Sequence, residues 1–138
     1  MKSRDTLIRL KRFHVDEKRR RVAQIEAMIA EFQRMAADLD REILAEQQRA
    51  GIHDVAHFAY PTYAKAAAAR RDNLVRSAEE MRGQLAEAQD ALAEAFEELK
   101  KVELLDERDQ NREKQAETRA DQKAMDDIAM QGHVKRAG

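Results

Sequence analysis

The sequence predicts an all-α fold in which two long helices run antiparallel and form a coiled-coil hairpin. Three observations lead to this prediction. The 138 residues include one proline and four glycines, and 38% of them are charged, a composition that favours long helices over a sheet-based core. Apolar residues recur at alternating three- and four-residue steps, which is the heptad pattern of a coiled coil. A short segment that contains the only proline separates two such runs and predicts a reversal of the chain.

The first helix is predicted over about residues 5–48, which contain neither proline nor glycine. Upstream in this helix, Lys18 and Arg21 occupy expected seam positions, so we expect looser packing there. The side chains predicted to form the apolar seam farther along are Ile25, Met28, Phe32, Met35 and Leu39.

A turn over about residues 49–61 and a second helix over about residues 62–131 follow. Asp54 is expected to cap a short helical turn. Pro61 suits the first turn of the second helix because its missing amide hydrogen is not needed there. The predicted seam of the second helix consists of Leu74, Ala78, Met81, Leu85, Ala88, Leu92, Ala95, Leu99 and Val102.

The distribution of charge predicts an antiparallel arrangement. Residues 1–24 carry an excess of basic side chains and residues 86–109 an excess of acidic ones. A hairpin places these stretches opposite each other, with position i facing roughly position 110 minus i, whereas a parallel homodimer would stack like charges. The next heptad positions, Asp106 and Asp109, do not suit an intramolecular seam. We therefore expect one hairpin domain over residues 1–138 whose second helix ends in an unpaired C-terminal overhang.

The side chains offer no recognisable catalytic site. The chain has no cysteine, which excludes thiol nucleophiles and thiolate zinc sites, and it has neither a phosphate-binding loop nor a nucleophile elbow. His53 and His57 are four residues apart but lack an obvious third ligand. We predict that the protein is not an enzyme and has no metal site and no cofactor. No stretch approaches the roughly 20 apolar residues that span a bilayer, so we expect a cytoplasmic protein.

Two further features each allow two interpretations. The basic run, residues 18–21 (Lys-Arg-Arg-Arg), is either a solvated face that pairs with the acids of the second helix, which we prefer, or a nucleic-acid patch. Phe58, Tyr60 and Tyr63 are half of the six aromatic residues. They either close the end of the hairpin or form a docking tip for a partner.

Residues 116–129 read Ala-Glu-Thr-Arg-Ala-Asp-Gln-Lys-Ala-Met-Asp-Asp-Ile-Ala. This stretch resembles the ending of the FliJ family of the bacterial flagellar type III export apparatus, with its pattern Gln-Lys-x-hydrophobic-Asp-Glu-hydrophobic-Ala. Asp127 stands where Glu is commoner, and Met125 where Leu is commoner. The aromatic turn at residues 58–63 is also similar to the tip of that family.

The resemblance implies a fold similar to the γ-subunit stalk of rotary ATP synthases, and a monomer when alone. It implies that the protein binds and stimulates the hexameric flagellar export ATPase, contacts the cytoplasmic domain of the export-gate membrane protein, and handles export chaperones. It further implies a peripheral association with the membrane-bound export apparatus and no nucleic-acid partner. The residues that it assigns to the export gate are Phe58, Tyr60, Tyr63, Ala67, Arg70 and Leu74. The residues that it assigns to the ATPase are Gln122, Lys123, Met125, Asp126, Asp127 and Ile128.

A second interpretation stays open from the residues alone. The chain could be a generic coiled-coil adaptor or homodimer whose basic N-terminal stretch binds an acidic partner or nucleic acid. Sedimentation equilibrium separates the two, since the hairpin is a 15.9 kDa monomer and the alternative is an elongated dimer.

Overall fold

The computed structural model describes the backbone of residues 2–137 and the side chains of residues 3–134. It contains two helices, α1 (Lys2–Ala50) and α2 (Thr62–Ala137), joined by a turn over residues 51–61. No strand occurs among the residues described, and the two helices pack against each other as the predicted antiparallel hairpin. Helix α2 continues beyond its predicted end near residue 131. None of the described helices has the length and apolar character needed to cross a membrane.

The chain divides into two compact units, one spanning Phe13–Phe96 and the other combining residues up to Arg12 with residues from Glu97 onward. That residues 1–138 form a single domain stays a prediction. In the unit Phe13–Phe96, α1 and α2 bury two apolar clusters between them. The first consists of Ile25, Ile29, Ala78 and Met81, with Phe32, Leu85 and Ala88 packed against it. The second, nearer the turn, consists of Leu39, Ile43, Ala64 and Ala67, with Tyr60, Ala68 and Leu74 packed against it.

The seam of α1 differs from the predicted seam at alternate positions. Met28 is 45% exposed and Met35 is 37% exposed, whereas the residues that follow them, Ile29 and Ala36, are 7% and 5% exposed. The predicted register was wrong at these positions because it favoured Met28 and Met35 over the apolar residues that follow them. The observed register brings Ile43 into one continuous apolar stripe, which buries more branched apolar surface against α2.

The seam of α2 matches its prediction. Ala78, Met81 and Leu99 are buried, and the other predicted members are half-buried. The same heptad continues toward the turn, where Ala64 and Ala67 are buried. Large and small apolar residues thus alternate along one face of α2, and this face sets the position of α1.

The turn is built from local backbone hydrogen bonds. Gly51 has a φ of 73°, which is the left-handed conformation that ends many helices. The amides of Gly51 and Ile52 donate to the carbonyl of Gln47 at 2.9 and 3.2 Å. As predicted, Asp54 caps a short turn, because its carboxylate accepts a hydrogen bond from the Ala56 amide at 3.0 Å. The carbonyl of Pro61 accepts the amide of Lys65 at 3.1 Å, so Pro61 stands immediately before the first residue of α2.

Ion pairs between the helices agree with the predicted register in each unit taken by itself. In the unit that contains the chain ends, Lys11 Nζ lies 3.6 Å from a carboxylate oxygen of Glu98, and Arg4 lies opposite Asp106. In the unit Phe13–Phe96, Arg71 Nη1 lies 2.8 Å from Asp40. Each pair joins positions i and approximately 110 minus i, which is the antiparallel pairing that the charge distribution predicts.

Candidate functional site

Residues 114–134 of α2, the exposed segment, form a helix in which every side chain is exposed. Their side-chain hydrogen bonds lie within the helix itself: Thr118 Oγ1 donates to the Lys114 carbonyl at 2.8 Å, and Gln122 Nε2 donates to Asp126 at 3.2 Å. A helix with only such local contacts is marginally stable in water. The exposed segment therefore lacks the packing that stabilises the rest of α2.

The exposed segment also carries uncovered apolar side chains. Met125 is 66% exposed and Ile128 is 68% exposed, and Met130 and Val134 are comparably exposed. Uncovered apolar groups on an otherwise polar helix are typical of a surface that binds another molecule. Met125 and Ile128 belong to the set assigned to the ATPase from the sequence, and the other members, Gln122, Lys123, Asp126 and Asp127, lie beside them on the same exposed helix.

The exposed segment begins directly after a cluster in which one cation meets three carboxylates. Arg4 Nη1 lies 3.3 Å from Asp106 and 3.2 Å from Asp109, at ion-pair distance without hydrogen-bond geometry. Arg4 Nη2 donates a hydrogen bond to Glu113 at 3.1 Å. Asp106 and Asp109 do continue the intramolecular seam, so the expectation that a seam would not accept them was wrong. The heptad alone gave no signal for this Arg4 cluster, because the partner cation lies more than one hundred positions away in sequence.

The turn presents one highly exposed aromatic ring. Phe58 is 96% exposed, and its ring stacks on that of His57 with a centroid separation of 4.7 Å. The Ala59 amide donates a hydrogen bond to His57 Nδ1 at 3.0 Å, which holds the histidine ring in place. The turn therefore exposes the Phe58 ring to solvent while the hydrogen-bonded His57 ring stacks against it, an arrangement suited to anchoring a partner.

The two tyrosines near the turn make different contacts. Tyr60 is half-buried against the second cluster, and its hydroxyl accepts a hydrogen bond from Gln47 Nε2 at 2.9 Å. Tyr63 is exposed, and its hydroxyl donates to the Glu42 carboxylate at 2.8 Å. This hydrogen bond, together with the negative charge of Glu42, raises the pKa of the Tyr63 phenol. Tyr60 thus closes the end of the hairpin, and Tyr63 stays on its surface.

The family model described as Flagellar FliJ protein matches residues 1–138 of the sequence, the whole chain. The chain belongs to the FliJ family. This family is a non-catalytic component of flagellar export, so membership supports an export-related role. No curated protein and no solved structure matches the chain.

The residues that the FliJ resemblance assigns to the export gate fall into two groups, one packed between the helices and one on the surface. Ala67 is 3% exposed and lies in the second apolar cluster, and Leu74 packs against that cluster. Both residues lie at heptad positions of the α2 seam, so their side chains pack between the helices and stabilise the hairpin. Phe58, Tyr63 and Arg70 lie on the surface. A gate contact can use these three without opening the helices.

Charged groups elsewhere in this FliJ-family chain form no metal site in the part that the structure describes, where no three His, Cys, Asp or Glu side chains converge.

The basic run, residues 18–21, is exposed, but the prediction that it pairs with the acidic side chains of α2 was wrong. Arg4 and Lys11 form ion pairs with α2, but no described carboxylate lies within ion-pair distance of residues 18–21. Arg19 instead places its guanidinium 5.0 Å from the centre of the Phe96 ring.

Proposed function

We propose that the protein binds the hexameric flagellar export ATPase through the exposed segment of α2 and stimulates it, and that the turn contacts the cytoplasmic domain of the export gate. The observation that supports the ATPase contact best is a helix with uncovered apolar side chains and no packing partner. Membership of the FliJ family gives the export context. A role in handling export chaperones rests on family membership alone.

The exposed segment gains stability from a partner in this proposal. Met125 and Ile128 are each about two-thirds exposed, so covering each side chain contributes about 1 to 2 kcal/mol. The Asp126 and Asp127 carboxylates between them can accept hydrogen bonds from polar walls and form ion pairs with them. A helix with this alternation suits the inside of a protein ring better than a solely apolar environment.

We expect stimulation because a single helix cannot make the same contacts with all six subunits of a ring. An asymmetric helix within a ring contacts some subunit interfaces more favourably than others. Such differential contacts shift the populations of nucleotide states among the subunits. The chain therefore acts as an allosteric ligand of the ATPase and supplies no catalytic group.

The ATPase contact is tested by placing charges on the apolar side chains of the exposed segment. At limiting concentration the double variant Met125→Asp with Ile128→Asp should stimulate the ATPase at least about ten-fold less, because burying the two charges together opposes docking by more than about 1.4 kcal/mol. The matched control is Val75→Asp, which places a charge on an apolar side chain of α2 that is 49% exposed and lies outside the exposed segment. Circular dichroism establishes that both proteins keep their helices.

The result that contradicts the ATPase proposal is full stimulation by the double variant. Equal losses in the double variant and in Val75→Asp would also contradict it, because the effect would then not belong to the exposed segment.

The gate contact is tested separately with the turn. Phe58→Ala should weaken binding to the isolated cytoplasmic domain of the gate protein and leave ATPase stimulation unchanged. Val55→Ala is the matched control, since Val55 is another exposed apolar residue of the same turn. Gate binding that is insensitive to Phe58→Ala contradicts the role given to this ring.

A further inference from the structure

A groove of about 530 Å³ opens between α1 and α2 within the unit Phe13–Phe96. Neither the exposed segment of α2 nor the turn contributes to it. Its walls are formed by Lys18, Arg21 and Ile25 of α1, and by Gln84, Glu87, Ala88 and Ala91 of α2.

The groove opens at a level where the seam positions Lys18 and Ala88 carry no large apolar side chain. In the observed heptad of α1, Lys18 stands one heptad, or about two helical turns, before the buried Ile25, and its charged end stays in solvent. Across from it, Ala88 and Ala91 are too short to fill the space between the helices. Protein interiors are normally close-packed, so this opening leaves apolar wall atoms without contacts.

The basic run gives the groove a strong positive edge. Residues 18–21 are four consecutive cations, all exposed, and within the described chain none of them pairs with a carboxylate. Lys18 and Arg21 line the groove, whereas the Arg19 guanidinium lies over the Phe96 ring. Four cations without an ion-pair partner within about one helical turn outnumber the single carboxylate of the groove lining and attract an acidic partner.

We infer that this groove docks an acidic amphipathic helix of a partner protein. The helix inserts an apolar side chain against Ala88 and Ala91 and places its carboxylates beside Lys18 and Arg21. This is helix-in-groove recognition, in which the apolar contact gives affinity and the flanking charges give selectivity. The inference concerns residues apart from the proposed ATPase and gate contacts.

The lining favours a protein helix over nucleic acid. Glu87 lies on the opposite wall and repels a chain of phosphates. None of the lining side chains is aromatic, so the groove has no platform on which a base could stack. An acidic helix avoids Glu87 by presenting an uncharged or basic edge to that wall.

The test uses the full chain and a fluorescent peptide of about three heptads, with Leu at the seam positions and Glu at the flanking positions. Anisotropy measures its affinity. The same peptide with Lys in place of Glu, a single-stranded DNA and vesicles containing anionic lipid are the comparison ligands. We expect the Glu peptide to bind most tightly.

Two charge reversals in the basic run provide the matched comparison. Arg21→Glu removes a cation of the groove wall and should weaken binding of the Glu peptide about ten-fold or more, while Arg20→Glu, with the same change in net charge outside the groove lining, should weaken it by less than about three-fold. Ala91→Leu, which fills the groove without changing charge, should also abolish binding. Circular dichroism checks that each variant keeps its helices.

The inference is overturned if the Glu peptide fails to bind the unmodified chain, or if DNA or vesicles bind more tightly than the peptide. Equal effects of Arg21→Glu and Arg20→Glu would also overturn it, because binding would then depend on net charge and not on the groove. Unchanged binding by Ala91→Leu would have the same consequence. All these outcomes are independent of ATPase stimulation.

Discussion

Replacing Ile29 by alanine should destabilise the hairpin strongly, whereas replacing the neighbouring Met28 should have a small effect. Ile29 is 7% exposed and lies in the cluster with Ile25, Ala78 and Met81. Ile29→Ala removes three carbon atoms, which cost about 2.4 kcal/mol at 0.8 kcal/mol each. The residual cavity adds to this loss, and the better helix propensity of alanine offsets a few tenths, for a net loss of about 2 to 4 kcal/mol.

Met28 is the matched control because it is adjacent in sequence and 45% exposed. Met28→Ala loses only part of a side-chain burial and gains helix propensity, so its expected cost is below about 1 kcal/mol. Urea unfolding followed by circular dichroism measures both values, and equal slopes of the two curves show that the comparison concerns stability. A larger loss for Met28→Ala than for Ile29→Ala would refute the observed register of α1.

Three further predictions concern the ends and the turn of the hairpin. Arg4→Ala leaves three carboxylates without their cation and should destabilise the pairing of the first turns of α1 with α2 by about 1 to 2 kcal/mol. Amide hydrogen exchange in these turns should become faster, and unchanged exchange would contradict this prediction. Gly51→Ala should cost about 1 kcal/mol in thermal or urea unfolding because its positive φ disfavours a side chain, so a stabilised variant would contradict the αL cap. In a Tyr60→Phe background the phenol of Tyr63 should titrate above its ordinary pKa by absorbance, and Glu42→Gln should lower that pKa. Because the folded-state pKa is raised, this contribution to stability is present below the pKa of the unfolded chain and is lost as the pH rises through the folded value.

The seam of α2 could be predicted from the sequence and that of α1 only in part. In α2 the nine predicted seam positions from Leu74 to Val102 follow one uninterrupted alternation of four- and three-residue steps. Val75 and Phe96 are apolar neighbours of this seam but do not extend into a second one, so one register is preferred. In α1 each methionine precedes another apolar residue, as in Met28 with Ile29. Sequence spacing alone cannot decide between two adjacent apolar residues, because the decision depends on the shape of the facing helix.

The candidate sites, too, could be predicted from the sequence only in part. That the apolar seam ends could be predicted from composition, since residues 106–115 contain no apolar side chain, but the start of the exposed segment at residue 114 could not. Arg4 could not be predicted as the cation that brings Asp106 and Asp109 into the paired region, because this contact joins residues far apart in sequence. The absence of ion pairs at residues 18–21 could likewise not be predicted, since an excess of opposite charge across a hairpin does not determine which side chains form ion pairs.

The Arg4 cluster also bears on function by setting where the helix pair ends. It accepts Asp106, Asp109 and Glu113 as the last acidic contacts of α2 with α1. The exposed segment follows directly. In the proposed ATPase contact, the helical end offered to the partner therefore begins after Glu113.

The central claim is that α1 folds back along α2 within one molecule, and spin-label distances test it most directly. Labels at exposed positions 10 and 100, which lie in the same compact unit, should be separated by about 10 to 25 Å, given axes 8 to 10 Å apart and the reach of the labels. The distance should persist when labelled chains are diluted into unlabelled ones. A separation of about 60 Å or more, as expected for ends separated by a helix of some 50 residues, or a short distance that vanishes on dilution, would contradict the hairpin.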